Sequence, residues 1–291
     1  MYAIKTEKLT KSYGDSRGIV EVDLAVEKGD FFGFIGPNGA GKSTTIRTLL
    51  GLISAGSGDA YIFGKDVKNA RSEILADVGY LPSDSAFYSG MEVSEMLNLS
   101  ARLHGKDCKA EAKRLAERLE LDLDRKIDEL SFGNRKKVGI VLALQHKPSL
   151  YILDEPTSGL DPLMQREFYA ILKERNEEGA TVFLSSHVLS EVGKYCKRAA
   201  VIREGRILVS DSVEKLAHTG IKKVALRGVT EKPEIAGAID MKIENDVLSF
   251  LYDKSSEELV KSLAVLHFSD VNITDPELEE IFMHYYAREG K

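Results

Sequence analysis

The densest chemistry in the chain lies in nine consecutive residues, Gly36-Pro37-Asn38-Gly39-Ala40-Gly41-Lys42-Ser43-Thr44. The run from Gly36 to Ser43 matches GxxxxGK[ST], a loop that wraps nucleotide phosphates. Its glycines let successive backbone N–H groups turn inward toward an anion, and a helix that starts there adds its positive end. In such a loop Lys42 sets its ammonium between the β- and γ-phosphates, and Ser43 offers a hydroxyl to Mg²⁺. All nine residues are read as the ATP-binding set, with Lys42 also acting on the reaction. A second constellation is Leu150-Tyr151-Ile152-Leu153-Asp154-Glu155-Pro156. An apolar strand that delivers an acid at its end can hold Mg²⁺ against phosphates, so Asp154 is assigned to the metal with Ser43. Glu155 comes next and can polarise the attacking water as a general base. Pro156 is expected to keep Glu155 extended.

These groups require a strand ahead of the loop and a helix behind it. Phe31 to Ile35 is the apolar strand, and a helix is predicted from about Ser43 to Leu52. Upstream, Tyr2 to Leu9 and Ile19 to Val26 alternate as strands around a turn over Lys11 to Asp15. Tyr61 to Phe63 and Val78 to Leu81 are further β-like segments, and Val93 to about Leu123 is helical, with Ala112, Leu115, Ala116 and Leu119 on one side. Then come a strand over Leu150 to Leu153, a helix over Pro162 to Arg175, a strand over Thr181 to Leu184 and a helix over Ser190 to Cys196. A hairpin, Ala199 to Arg203 and Arg206 to Val209, turns at Glu204-Gly205. Parallel βα units around a phosphate loop imply an α/β core with a helical insertion. Near Val213 the composition changes. Strands over Lys223 to Leu226, Met241 to Ile243 and Val247 to Tyr252, a helix with Leu259, Leu263 and Leu266, and a last helix with Leu278, Ile281, Phe282 and Tyr285 form a small α+β appendage. It holds no catalytic motif and is expected to regulate or to stabilise a dimer.

Three further pieces sharpen the reading. Leu130-Ser131-Phe132-Gly133-Asn134 opens a helix before Asp154, Ser158-Gly159-Leu160-Asp161 follows Glu155, and His187 stands just past the strand from Thr181 to Ser186. In order and spacing, residues 1 to 213 resemble the nucleotide-binding subunit of ABC transporters. The resemblance makes Leu130 to Asn134 the signature motif, Ser158 to Asp161 the D-loop, His187 the switch histidine at the γ-phosphate, and Tyr13 the aromatic that stacks on adenine. It implies a P-loop ABC ATPase core over 1–213, with an antiparallel β subdomain and a helical subdomain at about 84–147, followed by the appendage at 214–291. It further implies a head-to-tail dimer, either a homodimer or a heterodimer with a paralogous ATPase. In that dimer Ser131 and Gly133 of one subunit face the ATP held by the other. The Ser131 hydroxyl, the Gly133 amide and a helix N-terminus can form such a second anion site, and Ser131 also suits an N-cap.

Two positions depart from the family pattern. Where the family often has Gln after the strand that ends near Leu81, this chain reads Pro82-Ser83-Asp84. Ser83 is too short for the contacts of Gln, so it is expected not to be a strong Mg²⁺ ligand; Asp84 substitutes, or the loop serves as a hinge. The signature reads LSFGN; Phe132 occupies a position whose side chain need not touch phosphate, and Asn134 keeps an amide. Arg135-Lys136-Lys137 is read as a solvated helix face or an interface contact.

The chain has 291 residues, with 40 Lys and Arg against 46 Asp and Glu, a net charge of −6 that argues against a nucleic-acid partner. No apolar run approaches the roughly 20 residues of a membrane span. The resemblance therefore implies a separate membrane-embedded permease, whose cytoplasmic helices dock on the helical insertion and the Ser83 loop. It also implies a location in the cytoplasm, peripheral on the inner face of the cell membrane. LSFGN followed by Arg135-Lys136-Lys137, with Glu279-Glu280-Ile281-Phe282 near the end, resembles bacterial peptide, toxin or antibiotic exporters. The N-terminal residues lack a signal-peptide pattern, and Cys108 and Cys196, which form no CxxC pair, are expected to be reduced thiols. The alternative is a non-transport ABC ATPase. A translation-associated one would normally carry two cassettes, and a DNA-repair one a long heptad insertion before the signature. This chain has one phosphate loop and only the short helical stretch from Val93.

Overall fold

The computed structural model describes residues 1–14, 16–217, 221–229, 231–276 and 280. Within them the chain forms two units, Met1–Asp211 and a second that begins at Ser212. The first unit starts with β1 (Tyr2–Tyr13), β2 (Ser16–Val22), β3 (Ala25–Glu27) and β4 (Phe31–Ile35), followed by α1 (Lys42–Leu49). Next come β5 (Ser57–Ile62), β6 (Lys65–Asp66), α2 (Arg71–Leu75) and β7 (Val78–Leu81). A helical stretch follows, with α3 (Val93–Leu103), α4 (Lys109–Arg118) and α5 (Phe132–Leu144). The unit closes through β8 (Leu150–Asp154), α6 (Pro162–Glu177), β9 (Thr181–Ser186), α7 (Leu189–Tyr195), β10 (Arg198–Arg203) and β11 (Arg206–Ser212).

A six-stranded sheet, ordered β11-β10-β4-β9-β8-β7, is parallel from β10 through β7. Every residue of β4, β8 and β9 is buried, as expected for parallel strands covered on both faces. Phe32 and Phe34 pack on Phe183 across the β4–β9 pair, with ring centroids 5.9 and 5.3 Å apart. Because β9 lies between β4 and β8, the loops that leave all three strands emerge side by side at one edge of the sheet. Open α/β sheets bind ligands beyond that carboxyl edge. A second sheet, antiparallel, orders β2-β1-β5-β6, with β3 also paired to β1.

The single helical pattern expected from Val93 to Leu123 is two helices. Gly105, at φ 62°, ends α3 in the left-handed conformation that suits glycine after a helix. A reciprocal Glu92–Glu95 capping box starts α3. Ion pairs tie α4 to α6: Arg118 reaches Glu174 at 2.6 Å and Glu167 at 2.5 Å, and the buried Arg175 pairs with Glu111.

The second unit holds α8 (Val213–Ala217), β12 (Lys222–Arg227), β13 (Ala238–Glu244), β14 (Val247–Tyr252), α9 (Ser256–Leu263) and β15 (Asp270–Thr274). Its strands form an antiparallel sheet ordered β13-β14-β12-β15 around Val224, Leu226, Leu248, Phe250, Tyr252, Leu259 and Leu263. Asn245 and Asp246, at φ 50° and 64°, make the β13–β14 turn. The final helix read from Leu278, Ile281, Phe282 and Tyr285 lies outside the described residues.

Candidate nucleotide site

The chain leaves β4 at Ile35 and curls over residues 36–41 into α1. Gly41 adopts φ 110° at the N-cap, and a Cβ there would sit 2.9 Å from the Ile19 side chain, so only glycine fits. Lys42, the first residue of α1, is 6% exposed. Its Nζ donates to the carbonyls of Gly36 at 2.6 Å and Pro37 at 3.3 Å, and lies 3.2 Å from Glu155 Oε1. A cavity of about 430 Å³ opens over the loop, lined by Pro37, Asn38, Gly39, Gly41, Lys42, Ser43 and Thr44, with Gly18, Ser83 and Glu155 on its rim. Gly36 and Ala40 do not line it. Gly36 serves through its carbonyl, and Ala40, buried, accepts the Gly205 amide at 2.9 Å.

The two acids at the end of β8 diverge. Asp154 is 1% exposed, and Ser43 Oγ donates to its Oδ2 at 2.7 Å while Ser185 Oγ donates to its Oδ1 at 2.9 Å. Among the described residues no cluster of three His, Cys, Asp or Glu could hold a metal ion. The Ser43 hydroxyl and the Asp154 carboxylate instead present two hard oxygens side by side at the phosphate loop. That donor set fits Mg²⁺, which is commonly held by one or two carboxylates, water and substrate phosphates.

Glu155 is not extended. Its φ is 49°, a left-handed conformation that costs roughly 1–2 kcal/mol for a residue with a Cβ. The preference imposed by Pro156 yields to sheet geometry, because the Glu155 amide donates to Ser185 O at 3.0 Å and carries the β8–β9 pairing one residue past the strand. The bend swings the carboxylate over the loop, where Oε1 faces Lys42 and Oε2 lies 2.7 Å from His187 Nδ1. One carboxylate thus bridges the P-loop lysine and the histidine after β9.

Ser131 and Gly133 do not line this cavity. Ser131 caps α5, its Oγ accepting the Asn134 amide at 3.3 Å. Gly133 packs so closely on the 158–161 turn that a Cβ would stand 2.6 Å from Gly159 O, and a side chain on Gly159 would run into the Phe132 ring. Asp161 caps α6 through the amides of Leu163 and Met164. Tyr13 is exposed at the β1–β2 hairpin, with Lys11 Nζ 5.4 Å from its ring centre, and the hairpin meets the cavity through Gly18 instead. Asp84 is also exposed and lines a neighbouring 240 Å³ pocket, not the phosphate cavity.

Three residues of the site were not evident from local pattern. Gly18 and Ser185 come from segments distant in sequence, and nothing in their surroundings marks them. Lys136 corrects the reading of the basic run as a solvated face. Arg135 is exposed, but Lys136 is 3% exposed and Lys137 is buried. From Lys136 to Val141 every residue of α5 is buried, and a helix apolar all round has no solvated side on which to place them. That continuous run was the available signal. Lys136 Nζ donates to Pro82 O at 3.2 Å and Ser83 O at 3.0 Å, and its burial pulls it down to about 8 despite the nearby Asp154, Asp84 and Glu155.

A family model described as "ABC transporter" matches residues 19–158. Over 211 residues the chain is 40% identical to the bacitracin transport ATP-binding protein BcrA of Bacillus licheniformis, an alignment that covers 70% of this chain and 68% of that protein. The chain belongs to the ABC transporter family. It is also 29% identical to the linearmycin resistance ATP-binding protein LnrL of Bacillus subtilis, with 98% of each covered. The solved structure of an ATP-binding subunit of an ABC transporter aligns with a TM-score of 0.69 at 30% identity, covering 74% of this chain and 91% of that one. The ABC transporter subunit described here is an ATPase with the P-loop α/β fold of the family. None of its described helices is long and apolar enough to cross a membrane.

Proposed function

We propose that this subunit hydrolyses ATP at the cavity over residues 36–44 and so powers export through a separate membrane permease. The observation that carries the reading is the placement of Glu155 between Lys42 and His187 at the mouth of the phosphate loop. Loop amides and the α1 N-terminus hold the phosphates, and Lys42 turns its ammonium from the Gly36 and Pro37 carbonyls to phosphate oxygen. Ser43 and Asp154 would hold Mg²⁺, which when bound would offset phosphate charge. Glu155 accepts a proton from the water that attacks the γ-phosphorus, the terminal P–O bond breaks, and ADP and phosphate leave. His187 fixes the Glu155 carboxylate and approaches the γ-phosphate, while Tyr13 supplies the adenine platform.

Ser131 and Gly133 stand away from the cavity of their own chain, in keeping with a role toward ATP held by a second subunit. The working unit is accordingly a head-to-tail dimer, for which a homodimer has both halves. A groove of about 830 Å³ between β7, α3 and α5, walled by Leu75, Tyr80, Phe87, Met96, Leu99 and Leu103, suits an apolar helix of the permease. The subunit then works at the inner face of the cell membrane, and the unit from Ser212 onward modulates dimerisation or coupling. Bacitracin and linearmycin, named for two relatives, suggest cargo of the peptide or antibiotic class. The test is phosphate release from ATP with Mg²⁺ and with chelator, with and without the permease in vesicles. Hydrolysis that ignores chelation, or a permease that transports equally well without the subunit, refutes the reading.

A further inference from the structure

Lys136 places a cation inside the protein. It is 3% exposed and forms no ion pair among the described residues; its two donor contacts go to the backbone carbonyls of Pro82 and Ser83. Burying an ammonium without a partner in direct contact costs several kcal/mol, and an unbranched apolar side chain of similar volume would fill the same space more favourably. Packing therefore does not explain a lysine at this position. The carbonyls it grips do. Pro82 and Ser83 form the turn that leaves β7, the edge strand of the parallel sheet, and leads toward α3. Ser83 borders two cavities at once, the 430 Å³ phosphate cavity and the 240 Å³ pocket that it shares with Phe132, Arg135 and Lys136.

A second contact fixes the same segment. Gly139, one turn after Lys136 on α5, lies against it so closely that a Cβ would be 2.8 Å from Leu81 and 3.0 Å from Ser85 Oγ. The face of α5 made by Lys136 and Gly139 is thus a seat for residues 81–85. One turn before Lys136, the same helix begins with Ser131 and Gly133.

We propose that Lys136 is a positioning residue for ATP hydrolysis, clamping the Pro82–Ser83 turn so that Ser83 stays at the rim of the phosphate cavity and moves together with the helix that carries Ser131 and Gly133. The inference rests on the reading of that cavity as the ATP site. The ammonium suits the task because it can hold two carbonyls at once without a fixed plane, and because the charges of Asp154, Asp84 and Glu155 offset part of the cost of its burial. A guanidinium keeps the charge and the donors, whereas a thioether keeps only the volume.

The test compares the full-length protein with Lys136→Met and Lys136→Arg, using steady-state hydrolysis and hydrogen exchange of the backbone amides from 83 to 87. Lys136→Met is expected to lower kcat by about tenfold while KM changes by less than about threefold, the split of a lost positioning contact. Amides 83 to 87 should exchange about tenfold faster, with those of β4 and β8 unchanged. Lys136→Arg should return kcat to within about threefold of the parent. A kcat for Lys136→Met within about twofold of the parent, loop exchange that does not rise, or an Arg variant no better than Met would each overturn the proposal. If Lys136→Met does not fold, Lys136→Gln takes its place under the same criteria. The exchange readout requires no turnover, so a failure of the ATP-site reading, seen as full activity in Glu155→Gln, is distinguishable from a failure of the clamp.

Discussion

Glu155→Gln tests the site most directly, because the substitution changes one atom type and little else. Gln keeps the volume, and its amide oxygen can still accept from His187, so the 2.7 Å contact survives. What is lost is the carboxylate charge 3.2 Å from Lys42, together with the capacity to take up a proton. The backbone at φ 49° is set by the Ser185 carbonyl and by sheet register, and both are unchanged. The fold should therefore lose no more than about 1 kcal/mol, the scale of a partly exposed ion pair. Catalysis should lose far more. A positioned general base contributes about 10²- to 10⁴-fold, equivalent to roughly 3–5 kcal/mol of transition-state stabilisation. Phosphate release should fall by at least about 10²-fold while ATP affinity, measured by equilibrium binding, holds or improves, since Lys42 is freed to face phosphate. Near-normal turnover in a folded, ATP-binding Glu155→Gln protein would refute the assignment of Glu155 and the geometry on which it rests.

Four other outcomes follow from the same structure. In the Glu155→Gln background, ATP should shift the mass measured by light scattering from monomer to dimer, and adding Ser131→Arg should abolish the shift; an ATP-independent mass for every variant, permease present, refutes the head-to-tail dimer. Deleting residues from Ser212 onward should leave ATP affinity within about threefold, since no P-loop or acid ligand lies there, and should weaken ATP-driven dimerisation instead. His146, 4% exposed and stacked on His104 at 4.0 Å, is held down to about 4 by burial, so it is neutral in the fold and charged in the unfolded chain between pH 4 and 6.5. Its contribution of up to about 3 kcal/mol is present above pH 6.5 and lost as pH falls toward 4, and His146→Gln should flatten the fall in urea midpoint over that window. Lys136, lowered by burial to about 8 from 10.5, is likewise neutral in the fold and charged in the unfolded chain between pH 8 and 10.5, so the stability of the parent relative to Lys136→Met should rise over that window by up to about 3 kcal/mol.

What could be read in the sequence was chemistry that is contiguous in the chain. The phosphate loop, the Asp154-Glu155 pair and the strands that deliver them are local, and β4, β7 and β8 appear in the structure where their apolar runs place them. The rest depended on what the fold brings in from elsewhere. Ser185 reaches Asp154 only because β9 pairs with β8 in register, Asp154 opposite Ser185. Gly18 reaches the cavity only because the β1–β2 hairpin leans over the loop. Proline's effect on its neighbour is a local bias, and one backbone hydrogen bond from β9 overrode it at Glu155. Charge pattern misplaced Lys136 for the same reason: three consecutive basic residues look solvated until the apolar run behind them turns the helix inward. β15 has only a weak sequence pattern beside those of the core strands, because Val271 and Ile273 remain about two-fifths exposed on an edge strand.

Three features that local preference disfavours meet beside the phosphate loop. Left-handed Glu155, buried Asp154 and buried Lys136 all border one edge of the parallel sheet. The strained backbone costs on the order of 1–3 kcal/mol and a buried charge several kcal/mol, a large part of the roughly 5–15 kcal/mol that keeps a domain folded. They persist because β4, β8 and β9 are buried along their whole length and over-determine the backbone beside them. A helix or strand built for stability alone would place Gly or Asn at 155 and an apolar residue at 136. Substituting toward those preferences should therefore raise stability and lower hydrolysis in the same variant. That opposed response, and not low activity alone, marks a residue kept for function.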